Sequence, residues 1–156
     1  MNKSNKNLTI QQQNYLETVY ELGNEEGHAH VKDIAMKLKK SMPSVTEAMR
    51  KLSEKGYVRY DVRKNVSLTA SGMQLAQELD ERHKILADFY SKILGCPISK
   101  AQRIACEVEH IVDATFCYRL AVFASFLRAK EDDGIEIIQE YKDYYTQKYN
   151  TNYPPS

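Results

Sequence analysis

Apolar residues recur along this chain at two spacings, and the change from one to the other marks its parts. Residues 9–22 place Leu16, Val19, Tyr20 and Leu22 at helical intervals. GNEEGHAH (23–30) is polar and reads as a loop, so His28 and His30 are expected in a solvated turn. VKDIAMKLKK (31–40) predicts a short helix with Ile34, Ala35 and Leu38 inward. SMPS breaks it, and Pro43 suits the first turn of a new helix over 44–55. Gly56 ends that helix as its C-cap. The period then switches to two: Val58, Tyr60 and Val62, then Val66 and Leu68, flank Arg63-Lys64-Asn65 and predict a hairpin. Helix, tight turn, helix and hairpin together predict a winged helix-turn-helix.

Helical spacing returns from Ala70 and runs to about Leu94, where Gly95-Cys96-Pro97 interrupts it. Ser99 is placed to cap a helix running to about Val112. Residues 113–130 continue helical with a dense apolar run that includes Phe116, Leu120, Val122, Phe123, Phe126 and Leu127. Such a run is too apolar for an exposed helix, and a homodimer interface would cover it. A last helix spans 134–150, with Ile138, Tyr141, Tyr145 and Tyr149 on one side. The expected fold is therefore mainly α: a winged helix-turn-helix DNA-binding domain over 1–70, then an α-helical dimerisation domain over 71–156, to which the candidate chemistry below adds metal binding.

Charge sharpens this picture. The net charge of the 156 residues is +1, yet residues 31–75 hold ten Lys and Arg against four Asp and Glu. The flanking segments are both net negative. The basic excess thus coincides with the winged helix, as a phosphate-binding surface requires. No apolar run approaches the roughly 20 residues of a membrane helix, and the polar start lacks the apolar core of a signal peptide. Three widely spaced cysteines without a CxxC pair argue for reduced thiols. A cytoplasmic protein without membrane partners is expected.

CEVEHIVD (106–113) carries the candidate chemistry. On a helical wheel Cys106, Glu109, His110 and Asp113 share one face, and Ile104, Ala105, Val108, Ile111 and Val112 share the other. A solvated helix face is the plain account of such a stripe. A cysteine within it points elsewhere, because free cysteine prefers burial. Thiolate, imidazole and carboxylate together suit a borderline divalent ion. No HExxH, nucleophile elbow or phosphate loop is present, so nothing in the sequence favours an enzyme.

The run NYLETVYEL (14–22), the segment SMPSVTEAMRKLSEKGYV with LTASG, and then ERHKILADFYSKILG and ACEVEH resemble the diphtheria-toxin-repressor family of metal-dependent transcriptional regulators. The resemblance covers about residues 10–128. It implies a homodimer that binds DNA when loaded with Fe(II) or Mn(II) and represses metal-uptake genes, with Zn(II) or Co(II) as possible substitutes. The compact length is similar to the manganese-transport-regulator branch. Glu17 and His83 fall at that branch's ligand positions, and Glu109 and His110 at ligand positions of both branches. Cys106 matches the iron branch, where the manganese branch has glutamate. Asn14 stands where the manganese branch has aspartate, and Ala87 and Gln102 replace second-site residues of the iron branch. Asp113 is expected to ligate or to hydrogen-bond His110.

Helix 44–55 is expected in the major groove of a palindromic double-stranded operator. The resemblance supports Ser41, Pro43 and the position of Glu47 as DNA contacts. Ser44, Thr46, Glu47 and Arg50 are the candidate base readers, and Arg59, Arg63 and Lys64 the candidate backbone contacts on the wing. Glu47 either accepts from cytosine N4 or closes a capping box with Ser44. The alternative to a metal sensor is a metal-independent winged-helix regulator that answers a small molecule or oxidation of Cys106.

Overall fold

A computed structural model of the chain describes residues 8–23, 27–61, 65–130 and 132–149. The chain divides into two compact units between Asp80 and Glu81.

The N-terminal unit opens with α1 (Ile10–Leu22). Thr9 and Gln12 cap it reciprocally: Gln12 N donates to Thr9 Oγ1 at 3.2 Å, and Thr9 N donates to Gln12 Oε1 at 3.1 Å. Strand β1 (His28–His30) follows, then α2 (Val31–Leu38) and α3 (Met42–Glu54). The turn between the two helices is tight because Lys39 adopts the left-handed conformation, with φ 52°. The amides of Lys39 and Lys40 then close back onto Met36 and Ala35. Ser41 caps α3, accepting from Ser44 N, and Pro43 lies in the first turn. Gly56, with φ 80°, lets the chain leave α3 into β2 (Val58–Tyr60), which pairs with β3 (Asn65–Leu68).

The sheet has the order β1-β3-β2, all antiparallel. The hairpin is thus as the alternation predicts. The segment read as a loop at 28–30 is instead a third strand, with His28 opposite Ser67 and His30 opposite Asn65. Ala29 between them is buried. Three residues are too few to display a period, and the partner strand lies far along the chain. One core holds the unit together: Leu16 and Val19 from α1, Val31 and Ile34 from α2, Val45, Met49 and Leu52 from α3, and Val66 from the wing. The first turns of α4 (Ala70–Asp88) join it through Leu75, Ala76 and Leu79. That is why the compact unit extends past residue 70.

The second unit begins within α4, which passes into a π-helical turn over Phe89–Ile93. Then come α5 (Ile98–Val108), α6 (Ala114–Ala129) and α7 (Asp132–Tyr149). Ser99 does not cap α5: Pro97 occupies the cap position, with no side-chain hydrogen bond there. The helix also stops at Val108 rather than Val112. Leu86, Ala87, Ala105 and Cys117 form one small core, and Ile93, Ala124 and Leu127 another. Much of α6 stays uncovered within one chain. Phe116, Val122, Phe123 and Phe126 are each about half exposed, as the apolar run over 113–130 predicts for a surface awaiting a partner. No helix among the described residues is long and apolar enough to cross a membrane.

Thr69 and Gly72 lock α4 onto the wing. Thr69 Oγ1 donates to the Gly56 carbonyl at 2.7 Å and accepts from Gly72 N at 3.1 Å. A Cβ at Gly72 would overlap the Tyr57 carbonyl, which is backbone and cannot swing aside. Gly72→Ala is expected to destabilise the N-terminal unit by about 1–3 kcal/mol, read as a lowered denaturation midpoint. An unchanged midpoint would show that α4 shifts without cost.

Candidate metal centre and DNA-binding face

The stripe of CEVEHIVD is not one helix face. Because α5 ends at Val108, Cys106 lies on the helix and is exposed, Glu109 is the C-cap residue, and His110–Val112 form a turn. Asp113 begins the next helix, its Oδ1 accepting from Phe116 N at 2.7 Å. Its carboxylate is an N-cap for α6 rather than the expected partner of His110. What gathers the chemistry is the packing of α4 near this corner.

Glu109 is buried, with 2% of its side chain exposed. Its Oε2 lies 2.7 Å from His83 Nδ1, and its Oε1 lies 3.6 Å from His110 Nε2. The other nitrogen of His83, Nε2, lies 2.5 Å from Gln102 Oε1. A neutral imidazole has one N–H. With Nδ1–H donating to Glu109, Nε2 accepts, and Gln102 serves it by turning its amide nitrogen inward; an imidazolium would donate to both oxygens. Arg82 is also buried and donates to the Val112 carbonyl at 3.5 Å. Burial lowers the pKa of His110; Glu109 opposes the shift, and the positive field of Arg82 and His83 adds to it. Burial thus favours the neutral imidazole, the form that has a lone pair to give.

Two imidazoles converging on a buried carboxylate form a donor set that fits a divalent ion. In the N-terminal unit, Glu17 and Asn14 are half-buried one turn apart on α1. Gln102 and Arg82 are neighbours that the sequence reading did not select. Gln102 had a visible signal: it precedes Glu109 by two helical turns and shares its face of α5. Arg82 had none, because only packing shows that a charge is buried. Cys117 is a packing residue, and burial pushes its thiol pKa up.

On the DNA-binding side, α3 buries Val45, Met49 and Leu52 and turns Glu47, Arg50, Lys51 and Glu54 outward. Ser41, Pro43 and Ser44 are exposed at its start, and Thr46 is half-buried. Ser44 and Glu47 form no capping box, since the cap is Ser41 three residues earlier. Arg59 is exposed on β2, while Arg63 and Lys64 lie outside the described residues.

A winged helix-turn-helix followed by a helical unit with a buried His–Glu cluster defines a DNA-binding regulator with a metal-sensing domain. Residues 7–66 match the iron dependent repressor N-terminal DNA binding domain, and residues 69–138 match the iron dependent repressor metal binding and dimerisation domain. The chain belongs to this family of metal-dependent transcriptional regulators, which are not enzymes. It is similar to the HTH-type transcriptional regulator MntR of Shouchella clausii, 30% identical over 138 residues, or 87% of this chain and 96% of that one. Among solved structures, the manganese regulator SloR is 30% identical at a TM-score of 0.64, over 74% of this chain and 54% of that chain. A manganese-dependent transcriptional repressor in complex with manganese is 27% identical at a TM-score of 0.66, over 74% and 53%. The chain thus spans about half the length of these solved relatives.

If Gln102 orients His83 as an outer partner, Gln102→Ala should weaken Mn(II) binding about 10-fold, and Glu109→Gln should weaken it further. Competition against a fluorescent chelator measures both. Wild-type affinity in Glu109→Gln would remove this cluster from consideration as a metal centre.

Proposed function

We propose that the chain is a homodimeric repressor of metal-uptake genes that binds a palindromic operator when Mn(II) or Fe(II) occupies a centre built on His83, Glu109 and His110. The observation that carries this is the buried Glu109 carboxylate with an imidazole at each oxygen. Glu17 joins the ligand set on the strength of the sequence resemblance, and Asn14 is a neutral outer donor. Asp113 is left out because it caps α6. The imidazole–carboxylate set, with Cys106 exposed on α5, suits Mn(II) or Fe(II).

A bound divalent ion supplies positive charge and fixed bond directions to these side chains. The rest is done by the protein. His83, Glu109 and His110 would hold the ion, with His83 exchanging one of its present hydrogen bonds to do so. Ordering these groups restricts the corner between α5 and α6, next to the half-exposed apolar face of α6 that a second copy is proposed to cover. A defined dimer presents its two α3 helices at one half-site spacing.

Fluorescence anisotropy with the chain's own upstream DNA tests the proposal. Mn(II) or anaerobic Fe(II) should tighten binding about 5–150-fold over chelator, the usual range of allosteric coupling. His110→Ala should remove that gain while leaving the weak metal-free binding. Equal affinity with and without each metal would favour the metal-independent regulator instead.

A further inference from the structure

The outward face of α3 holds a ladder of charges at helical spacing, opposite the face that packs in the core. Arg50 Nε donates to Glu47 Oε2 at 3.1 Å, and Arg50 Nη2 donates to Glu47 Oε1 at 2.9 Å. Lys51 Nζ lies 3.4 Å from the same Oε1. Arg50 Nη1 reaches Glu54 Oε1 at 3.3 Å, the longest of the Arg50 contacts. A guanidinium has five N–H donors. Glu47 takes two along one side, the Nε–H and one Nη2–H. The second Nη2–H and one Nη1–H form the end-on edge, and among the described residues Glu54, one turn on, is the group that reaches Nη1.

We propose that Arg50 is the residue of α3 that reads a guanine in each half-site, and that Glu47 is a positioning residue that fixes the side edge of the guanidinium so that its end-on edge faces the base. This rests on the proposed DNA-binding function and assigns the roles within it. An end-on guanidinium pairs with guanine O6 and N7, the commonest specific contact in the major groove. The contact needs Nη1 to exchange Glu54 for the base while the Glu47 pair stays intact. Glu47 is poorly placed to read a base itself. The Arg50 hydrogen bond, with Lys51 beside it, holds its carboxyl below the ordinary range, so it stays ionised with both oxygens engaged. Those same two cations offset the repulsion a carboxylate would meet among phosphates.

The test is selection from a duplex library with a randomised interior, using full-length Mn(II)-loaded protein, followed by affinity measurements on single-base variants of the selected site. Wild type should prefer guanine over other bases at one position per half-site by about tenfold or more. Arg50→Ala should flatten that position alone and keep the flanking preferences. Arg50→Lys should retain only part of the preference, since an ammonium lacks the planar edge. Glu47→Gln should reduce the guanine preference by about threefold without creating a preference elsewhere. Both positions are exposed, and circular dichroism verifies the fold. Loss of a cytosine preference in Glu47→Gln with Arg50→Ala unchanged would make Glu47 the reader and overturn the assignment, as would wild-type selectivity in every variant. Failure of wild-type protein to enrich any sequence with any metal would instead bring down the DNA-binding reading on which the assignment stands.

Discussion

A carboxylate taken almost wholly out of water must find compensating partners, and Glu109 is such a group. With 2% of its side chain exposed, leaving its charge unpaired would cost several kcal/mol. His83 and His110 meet it from two directions. His83 hydrogen-bonds one oxygen of Glu109, and His110 faces the other at 3.6 Å. Burial also lowers the pKa of His110, which favours the neutral imidazole that a metal ion needs.

The DNA-binding unit is organised by a different constraint. Its core fixes α3 by three buried side chains, Val45, Met49 and Leu52, and leaves a narrow charged face outward. The Ser41 cap and the left-handed Lys39 set where that helix begins. The basic excess predicted for residues 31–75 is in part spent internally: Arg50 and Lys51 share Glu47, and Lys37 pairs with Glu21.

Long periodic segments were legible because a helix of three or more turns repeats its signal. That holds for α1, α4, α6 and α7, and alternation served the wing equally well. Short elements were not. Strand β1 has three residues, and its pairing with β3 is a tertiary fact. The 106–113 stripe shows the opposite error, since a period was carried past the end of its helix. Glu109 still follows the helical path of α5 as its C-cap, whereas His110 lies in the turn beyond it. The residue types were right for a reason of chemistry, while their arrangement depended on packing that only the folded chain reveals. Gln102 and Arg82 belong to that same packing.

The central claim is that imidazoles of His83 and His110 and the carboxylate of Glu109 hold the sensed ion. Pulsed EPR on Mn(II)-loaded protein tests it most directly, because coupling to directly bound nitrogen is distinct from that of water or carboxylate oxygen. The account predicts two coupled histidine nitrogens in the wild-type protein, reduced to one in His83→Ala and to one in His110→Ala. A Mn(II) signal with oxygen ligands alone, or one unchanged by either substitution, would contradict it.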